Sequence, residues 1–384
     1  MSYHVIRYRP AFRDQVLLLQ KHLWGPDLDL NDAYFAWKYE RNPYLREPLI
    51  YLVLSGSKVI GMRGFFGAEW QLGASEPAHL CLCAGDLVVD PAHRGRGLFN
   101  PLRSVMQFAI SDLAEQGHAY VFNLSANRIN NLASLRMGWR LVAPNEERRR
   151  HGSWQARAMS RIRNHPVLQR NWDRVRQIPA LQRASQLGAS QSSVRKFRTL
   201  DAVSSLKTNR GVVTITRDPR PSVMADLARH VGSGQRLRHV RSEEYFAWRY
   251  QSPGQDYRFL FLGDPDPRGF LVLQAQWKTR HVSIVDWEAA SAEVRDCLLE
   301  SALRLGAFDS LSIWSVSLPK DMTDKLSDFG FAPVHTGQNA IDYRPGLLVK
   351  ALKEDVPVDH WRIADRKILD IANWDLRMIY SDFY

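Results

Sequence analysis

The sequence predicts an α/β protein with mixed sheets, assembled from two copies of one domain. Three observations carry this. Residues 34–39 read YFAWKY and residues 245–250 read YFAWRY, five of six positions identical at an offset of 211. An internal repeat of that kind sets the architecture before any single element is read. Each copy follows a strand and an amphipathic helix and precedes two apolar strands, 47–55 and 58–70 in the first half and 256–262 and 268–277 in the second. Each half then closes through a helix, a glycine-aromatic pair and a strand, with Gly138-Trp139 in the first and Gly330-Phe331 in the second. The expected division is 1–147, a basic helical connector over 148–204, a second domain over 205–352 and a helical tail over 353–384.

Residues 3–9 read as a strand and 11–23 as a helix, and a short helix carries Tyr34 to Tyr39. Strands at 48–55, 58–70 and 79–89 show alternating or continuous apolar runs. A long helix is expected from about 97 to 115, with Leu98, Leu102, Val105, Met106, Ala109 and Leu113 spaced by three or four along one stripe. Pro101 falls in its first turns, where a missing N–H matters least. Residues 119–124 then read as a strand, 128–136 as a helix and 139–143 as a strand. The aromatic residues of both YFAW segments read as packing residues, because aromatics at helical spacing usually face a core.

Composition excludes several classes. Of 384 residues 45% are hydrophobic and 24% charged, which rules out a disordered or fibrous chain. No apolar run approaches the roughly 20 residues of a membrane span, and the first residues, MSYHVIRYRP, lack the apolar core of a signal peptide. Three cysteines, Cys81, Cys83 and Cys297, make no disulfide framework, and no Cys/His set has zinc-ligand spacing, so no metal is expected. A reducing cytoplasm is the expected location. The net charge is +12, and residues 148–198 alone hold thirteen Lys and Arg against one acid, Asp173. That excess sits in one segment and the remainder of the chain is balanced.

One loop has the makings of a chemical site. Residues 85–99 read GDLVVDPAHRGRGLF. A strand ends at Asp90-Pro91 and the turn Arg94-Gly95-Arg96-Gly97 leads into the long helix. Two glycines let the backbone aim its N–H groups at one point, and a helix N-terminus adds unpaired donors and a positive dipole end. Arg94 and Arg96 add charge. This is a phosphate-binding turn in physical terms, without the spacing of nucleotidase or dinucleotide loops. Taken alone, a sharp surface turn reads equally well.

Strand, V-x-P-x-x-R-G-x-G, then helix resembles the acyl-CoA loop of the GNAT acyltransferase superfamily. The order of elements in the first half resembles that fold too, and the repeat extends the likeness to the second half. Asn127 lies eleven residues before Gly138, where the superfamily often carries an asparagine. The resemblance implies two tandem GNAT-like domains. It implies an acyl-CoA donor, acetyl-CoA above all, held by Leu87, Val88 and Val89 on the strand, by Arg94, Gly95, Arg96, Gly97, Leu98 and Phe99 of the loop, and by Asn127. It further implies N-acylation of a small amine acceptor by direct attack on the thioester. The YFAW(K/R)Y tandem form is similar to bacterial GNAT proteins with surface-polysaccharide or lipid-modifying functions, and an amino sugar or polysaccharide precursor is an expected acceptor.

Two positions depart from the pattern. Ala92 stands where the loop often opens with Gln or Arg, and Ser134 stands where many members place a tyrosine that protonates the leaving thiolate. An aliphatic hydroxyl is a far weaker acid than a phenol, whose pKa is about 10. An attacking amine must lose a proton, and Asp86, on the strand just before the cofactor stretch, is the candidate base. Asp32 and Glu40 flank the YFAWKY helix and are weaker candidates for an acceptor cleft, as is the aromatic and acidic C-terminal end.

The second half has no such loop. Val285-Asp286-Trp287-Glu288-Ala289-Ala290-Ser291 leads straight to a helix ending near Leu305, with two acids and neither glycine nor arginine. Carboxylates there would repel a pyrophosphate, so the second domain is expected not to bind CoA. The basic segment suits a solvated linker, an anionic membrane surface at the inner face, or an acidic partner such as acyl carrier protein. Nucleic acid is disfavoured, because no nucleic-acid fold motif accompanies the charge. Two rival readings therefore stand beside the CoA enzyme: a degenerate pair serving as a binding scaffold, and a transferase fed by acyl carrier protein.

Overall fold

The computed structural model describes residues 3–73, 77–94, 101–126, 134–152, 197, 205–231, 234–275, 281–306, 308–334, 346–353 and 356–382. The chain divides into two units, Met1–Ala143 with Gly234–Gly254 and Pro345–Trp374, and Pro144–Ser233 with Gln255–Arg344 and Asp375–Tyr384.

The first unit is a mixed sheet covered on both faces. Its strands are β1 (Tyr3–Arg7), β2 (Leu49–Ser55), β3 (Lys58–Leu72), β4 (His79–Val89), β5 (Tyr120–Ala126) and β6 (Arg140–Pro144). Alternation along β2 shows how the sequence builds two cores. Ile50, Leu52 and Leu54 pack against Val16 and Leu19 of the helix Arg13–Gln20 and against Phe35 and Tyr39. Tyr51 and Val53 face the opposite way, towards Val105, Met106, Ala109, Ile110 and Leu113 of the helix Pro101–Glu115. The expected stripe of that helix holds except at Leu102, which is exposed, and Leu98 lies outside the described residues.

The second unit repeats the plan. Its sheet contains β7 (Glu147–His151), β8 (Ser205–Thr208), β9 (Gly211–Thr216), β11 (Asp256–Leu262), β12 (Gly269–Ala275), β13 (His281–Ala289), β14 (Ser310–Trp314) and β15 (Ala332–Pro333), taking β10 as Leu237–His239. The helices Ala292–Leu305 and Lys320–Asp328 cover one face. Ser291 caps the first of these by accepting from the Val294 N–H, and Gly306 ends it in the left-handed conformation at φ +58°.

The strand order corrects the sequence reading in three places. The first sheet runs β1-β2-β3-β4-β5-β16-β6, where β16 is Gly346–Ala351 from the end of the second half. It lies antiparallel to β5, with Val349 opposite Phe122 and Lys350 opposite Val121. The second sheet runs β15-β7-β14-β13-β12-β11-β9-β8 and takes β7 from the first half, with Arg149 opposite Ser312. The halves thus exchange strands, β16 and β10 joining the first sheet and β7 the second, and the expected limits of 1–147 and 205–352 do not follow the units.

The second correction concerns the YFAWRY segment, which groups with the first unit. There β10 pairs with the far end of β3, His239 opposite Trp70, and Trp248 packs on Trp37. The third concerns the connector. Arg148 to His151, expected to open a helical linker, are strand residues, because backbone pairing to β14 places Arg148 beside Ser327 and Arg150 beside the Phe329 carbonyl. Most of the remaining connector, 153–196, lies outside the described residues. Phe197, near its end, is buried in the core of the second unit under the Arg258 guanidinium.

Candidate functional site: a fork between two parallel strands

In the first unit β4 and β5 run parallel, and their register pairs Leu82 with Val121 and Cys83 with Phe122. Beyond those pairs β4 continues to Val89 on β3 alone, while β5 runs on to Ala126 with β16 along its other edge. The strands part, and a fork opens from Ala84 onward. A bulge marks the place: between Arg63 and Phe65 the register of β3 against β4 shifts, leaving Gly85 and Asp86 opposite a single residue, Gly64. Arg63 fixes the bulge by donating to the Gly85 carbonyl at 2.8 Å. Tyr39 lies against Gly64, where a Cβ would sit 2.1 Å from its hydroxyl, so glycine is required by close approach.

Asp86 points from this bulge into the layer of the first two helices. Its side chain is 1% exposed, as is that of Lys38, whose ammonium lies 2.9 Å from Asp86 Oδ1. Gln20 donates to Oδ2 at 3.0 Å. Four rings surround the ammonium, those of Tyr34, Tyr39, Phe66 and Trp24, at 5.3, 5.4, 5.5 and 6.0 Å. The candidate base is thus half of a buried ion pair. Sequence reasoning named Asp86 and missed Lys38. The signal was present, since a lysine inside an aromatic, core-facing hexapeptide needs an acid nearby.

The other candidates fall as follows. Val88 and Val89 are buried on β4 beyond the bulge, with Leu87, half-buried, just before them. Asp90 ends the strand and accepts from the Ala92 N–H at 2.9 Å. That bond, with the Lys58 ammonium at 3.1 Å, holds its carboxyl below the usual carboxylate range. Arg94 donates back to the Val89 carbonyl at 2.8 Å, which pins the strand end to the loop start. Gly95, Arg96, Gly97, Leu98, Phe99 and Asn127 lie outside the described residues. Ser134 is buried in a helical turn that ends at Arg136, and its carbonyl accepts from the Met137 and Trp139 N–H groups. Asp32 and Glu40 share Arg13, which ties both into a surface ion network.

The described flanks suit an acyl-CoA. The parted stretch of β4 leaves backbone groups for an extended arm, and eleven residues link Val89 to the helix at Pro101, enough for an anion-binding turn. The second unit differs at both points. Its β13 and β14 also part beyond Ser283 and Ser312. However, Ala290 and Ser291 alone join β13 to its helix, leaving no length for such a turn. The space beneath, lined by Trp287, Leu298, Ile313 and Met322, is about 10 Å³, room for a single water. The tail packs on this strand. Leu376 donates its N–H to Ser317 Oγ at 2.8 Å, and the Arg377 guanidinium lies 3.6 Å from the Trp287 ring centre beside Glu288 and Asp375.

Among the described residues no cluster of His, Cys, Asp or Glu could hold a metal ion, and no helix is long and apolar enough to cross a membrane. No family model and no curated protein sequence matches the chain. Solved structures do. A GCN5-related N-acetyltransferase from Anabaena variabilis superposes with a TM-score of 0.56 at 10% identity, covering 92% of this chain and 73% of that one. A conserved protein of Enterococcus faecalis described as a "Probable N-Acyltransferase" gives the same four values, 0.56, 10%, 92% and 73%. A tandem GNAT protein from the clavulanic acid biosynthesis pathway superposes with a TM-score of 0.51 at 12% identity, covering 92% of this chain and 99% of that one. The chain has the tandem GNAT fold.

Proposed function

We propose that the chain is an N-acyltransferase that takes its acyl group from a CoA thioester in the fork of the first unit. The single observation that carries this reading is the parting of β4 from β5 beyond Cys83 and Phe122, directly before the Arg94-Gly95-Arg96-Gly97 segment. Acetyl-CoA is the proposed donor, and a primary amine, in particular that of an amino sugar or polysaccharide precursor, is the proposed acceptor.

Bound there, acyl-CoA supplies an activated thioester carbonyl. The chain supplies the rest. Backbone groups of Leu87 to Val89 align the arm of the donor, and the glycine turn and helix N-terminus receive its phosphates. The acceptor nitrogen forms the C–N bond as the C–S bond breaks. Asp86 takes the proton the amine releases, directly or through one water, and the sulfur leaves as a thiolate that is protonated by solvent, because Ser134 is too weak an acid for that task. The second unit does not take the donor, given its two-residue turn and its acidic Asp286 and Glu288.

Titrating acetyl-CoA calorimetrically into the wild type and into a Gly95→Glu/Gly97→Glu variant tests this. Micromolar binding that the variant abolishes supports the reading. No binding of acetyl-CoA or of a longer acyl-CoA by folded protein would falsify it. Ser134 is the observation that favours a second reading, a non-catalytic scaffold. That reading gains if the chain binds CoA but transfers to no amine. Transfer from acyl carrier protein alone would assign the basic 148–198 segment to that acidic partner.

A further inference from the structure

We propose that Lys38 is the positioning residue of the transfer site, holding the Asp86 carboxylate at the mouth of the fork; this rests on the acyltransferase reading above.

The two YFAW segments differ in helix type. Tyr245 to Arg249 form part of an ordinary α-helix, Glu243–Arg249. In the first copy the α-helix ends at Phe35, and Ala36–Glu40 is a π-turn, closed by the Arg41 N–H on the Ala36 carbonyl at 2.8 Å. Five of six residues are shared, so local propensity does not account for the difference. A π-turn widens the helix by one residue and swings the side chains within it, and it costs hydrogen-bond geometry that the surroundings must compensate. Here it delivers the Lys38 ammonium to Asp86 Oδ1 at 2.9 Å, in the copy whose half also carries the glycine loop.

The pair is expensive to keep. Removing two charges from water costs several kcal/mol each, and well-packed apolar residues would serve stability as well or better. Its retention in a closed box of four rings sets orientation instead. The rings favour a cation at their centre, so the ammonium is fixed, and with Gln20 it leaves Asp86 a single orientation. Each carboxylate oxygen offers two lone pairs. Lys38 and Gln20 use one on each oxygen, which leaves one pair on each that neither of them occupies. A carboxylate alone does not define the site, because Asp286 stands next to the corresponding bulge of the second unit, opposite Val272, where it accepts from the Trp287 N–H at 2.9 Å. What the first unit adds is the caged lysine.

Four variants of the full chain test this: Lys38→Met, Lys38→Arg, Asp86→Asn and Lys38→Met/Asp86→Asn. The readouts are CoA release with glucosamine or another primary amine as acceptor, acetyl-CoA binding by calorimetry, and thermal melting. Lys38→Met should lower kcat at least tenfold while acetyl-CoA Kd and amine KM stay within about twofold. Lys38→Arg should recover most of the loss. On the Asp86→Asn background, Lys38→Met should cost nothing more, since it acts only through Asp86. This last comparison also decides the matter if Lys38→Met alone fails to fold. Full kcat in Lys38→Met, or losses that multiply in the double variant, would overturn the proposal. Wild type that binds acetyl-CoA but transfers to no amine would overturn it while leaving donor binding intact. Wild type that binds no acyl-CoA overturns the acyltransferase reading as well.

Discussion

Trp37 and Trp248, 211 residues apart, hold each other reciprocally: the indole N–H of Trp37 donates to the Trp248 carbonyl at 2.9 Å, and that of Trp248 donates to the Trp37 carbonyl at 2.8 Å. Their rings stack with centres 5.3 Å apart at 11°. The two copies of one hexapeptide therefore recognise each other within the first unit, and each tryptophan satisfies its polar atom on the partner's backbone.

Replacing either tryptophan removes a buried ring and takes an indole donor away from the other's backbone carbonyl. Trp37→Ala and Trp248→Ala should each destabilise the chain by about 3–5 kcal/mol, the usual range for a large aromatic in a core. The double variant should cost about 1 kcal/mol or more less than the sum, because both changes break the same contacts. Urea unfolding of the four proteins gives that coupling directly, and strict additivity would contradict the reciprocal arrangement.

Gly64 and Tyr39 make a sterically matched pair. Gly64→Ala should cost about 1–3 kcal/mol, because its Cβ would overlap the phenol and force it aside. Tyr39→Leu in the same chain should recover part of the loss. Equal melting temperatures for Gly64→Ala and wild type would show that the ring has room to move.

His281 makes the second unit sensitive to acid. Its ring accepts or donates at both nitrogens, to Ser310 and Ser312 at 2.7 Å each, and Ser283 lies 3.3 Å from Ser312. Burial, with Arg149 and His151 nearby, pushes it down from 6.5 to about 3. Glu147, 3.9 Å away, is the acid facing it. The unfolded chain takes up this proton first, so the contribution is complete above pH 6.5 and is lost as pH falls towards 3. The slope is roughly 1.4 kcal/mol per pH unit for one proton. His281→Gln should flatten the stability profile in that window, and an unchanged profile would reject the assignment.

Neither half should fold alone. A 1–152 fragment lacks β16, so β5 and β6 lose the strand that joins them in the sheet order. Such a fragment should show no cooperative melt, whereas adding a peptide spanning 346–353 should restore protection of the β5 amides in hydrogen exchange. A sharp, independent melt of the fragment would mean that β5 and β6 close on each other instead.

Much of this was legible in the sequence, and the remainder has physical reasons. Strand β4 was read to its observed ends, His79 and Val89, because a long apolar run with a proline stop leaves little choice. The helix over Pro101–Glu115 followed from its stripe. The exchange of β7 and β16 was not readable. GLLVKA is a plausible strand in either sheet, and which edge it joins depends on residues two hundred positions away. Arg148 to Arg150 misled because charge hides a strand whose stability comes from backbone pairing. Lys38 was passed over among aromatics that read as packing residues, since periodicity registers where a residue points and not which charge awaits it there.

The strand exchange also dictates a timetable for synthesis. When residue 147 leaves the ribosome, every strand of the first sheet except β10 and β16 is already made, and β16 ends only at Ala351. At 5–20 residues per second the roughly two hundred intervening residues take about 10–40 s to appear. Through that interval β5 presents a bare edge inside a nearly finished sheet, while the ribosome makes the half that will close it. Such an intermediate is a natural client for a chaperone that shields strand edges. Splitting the gene between the halves would leave each product short of a strand that the other carries.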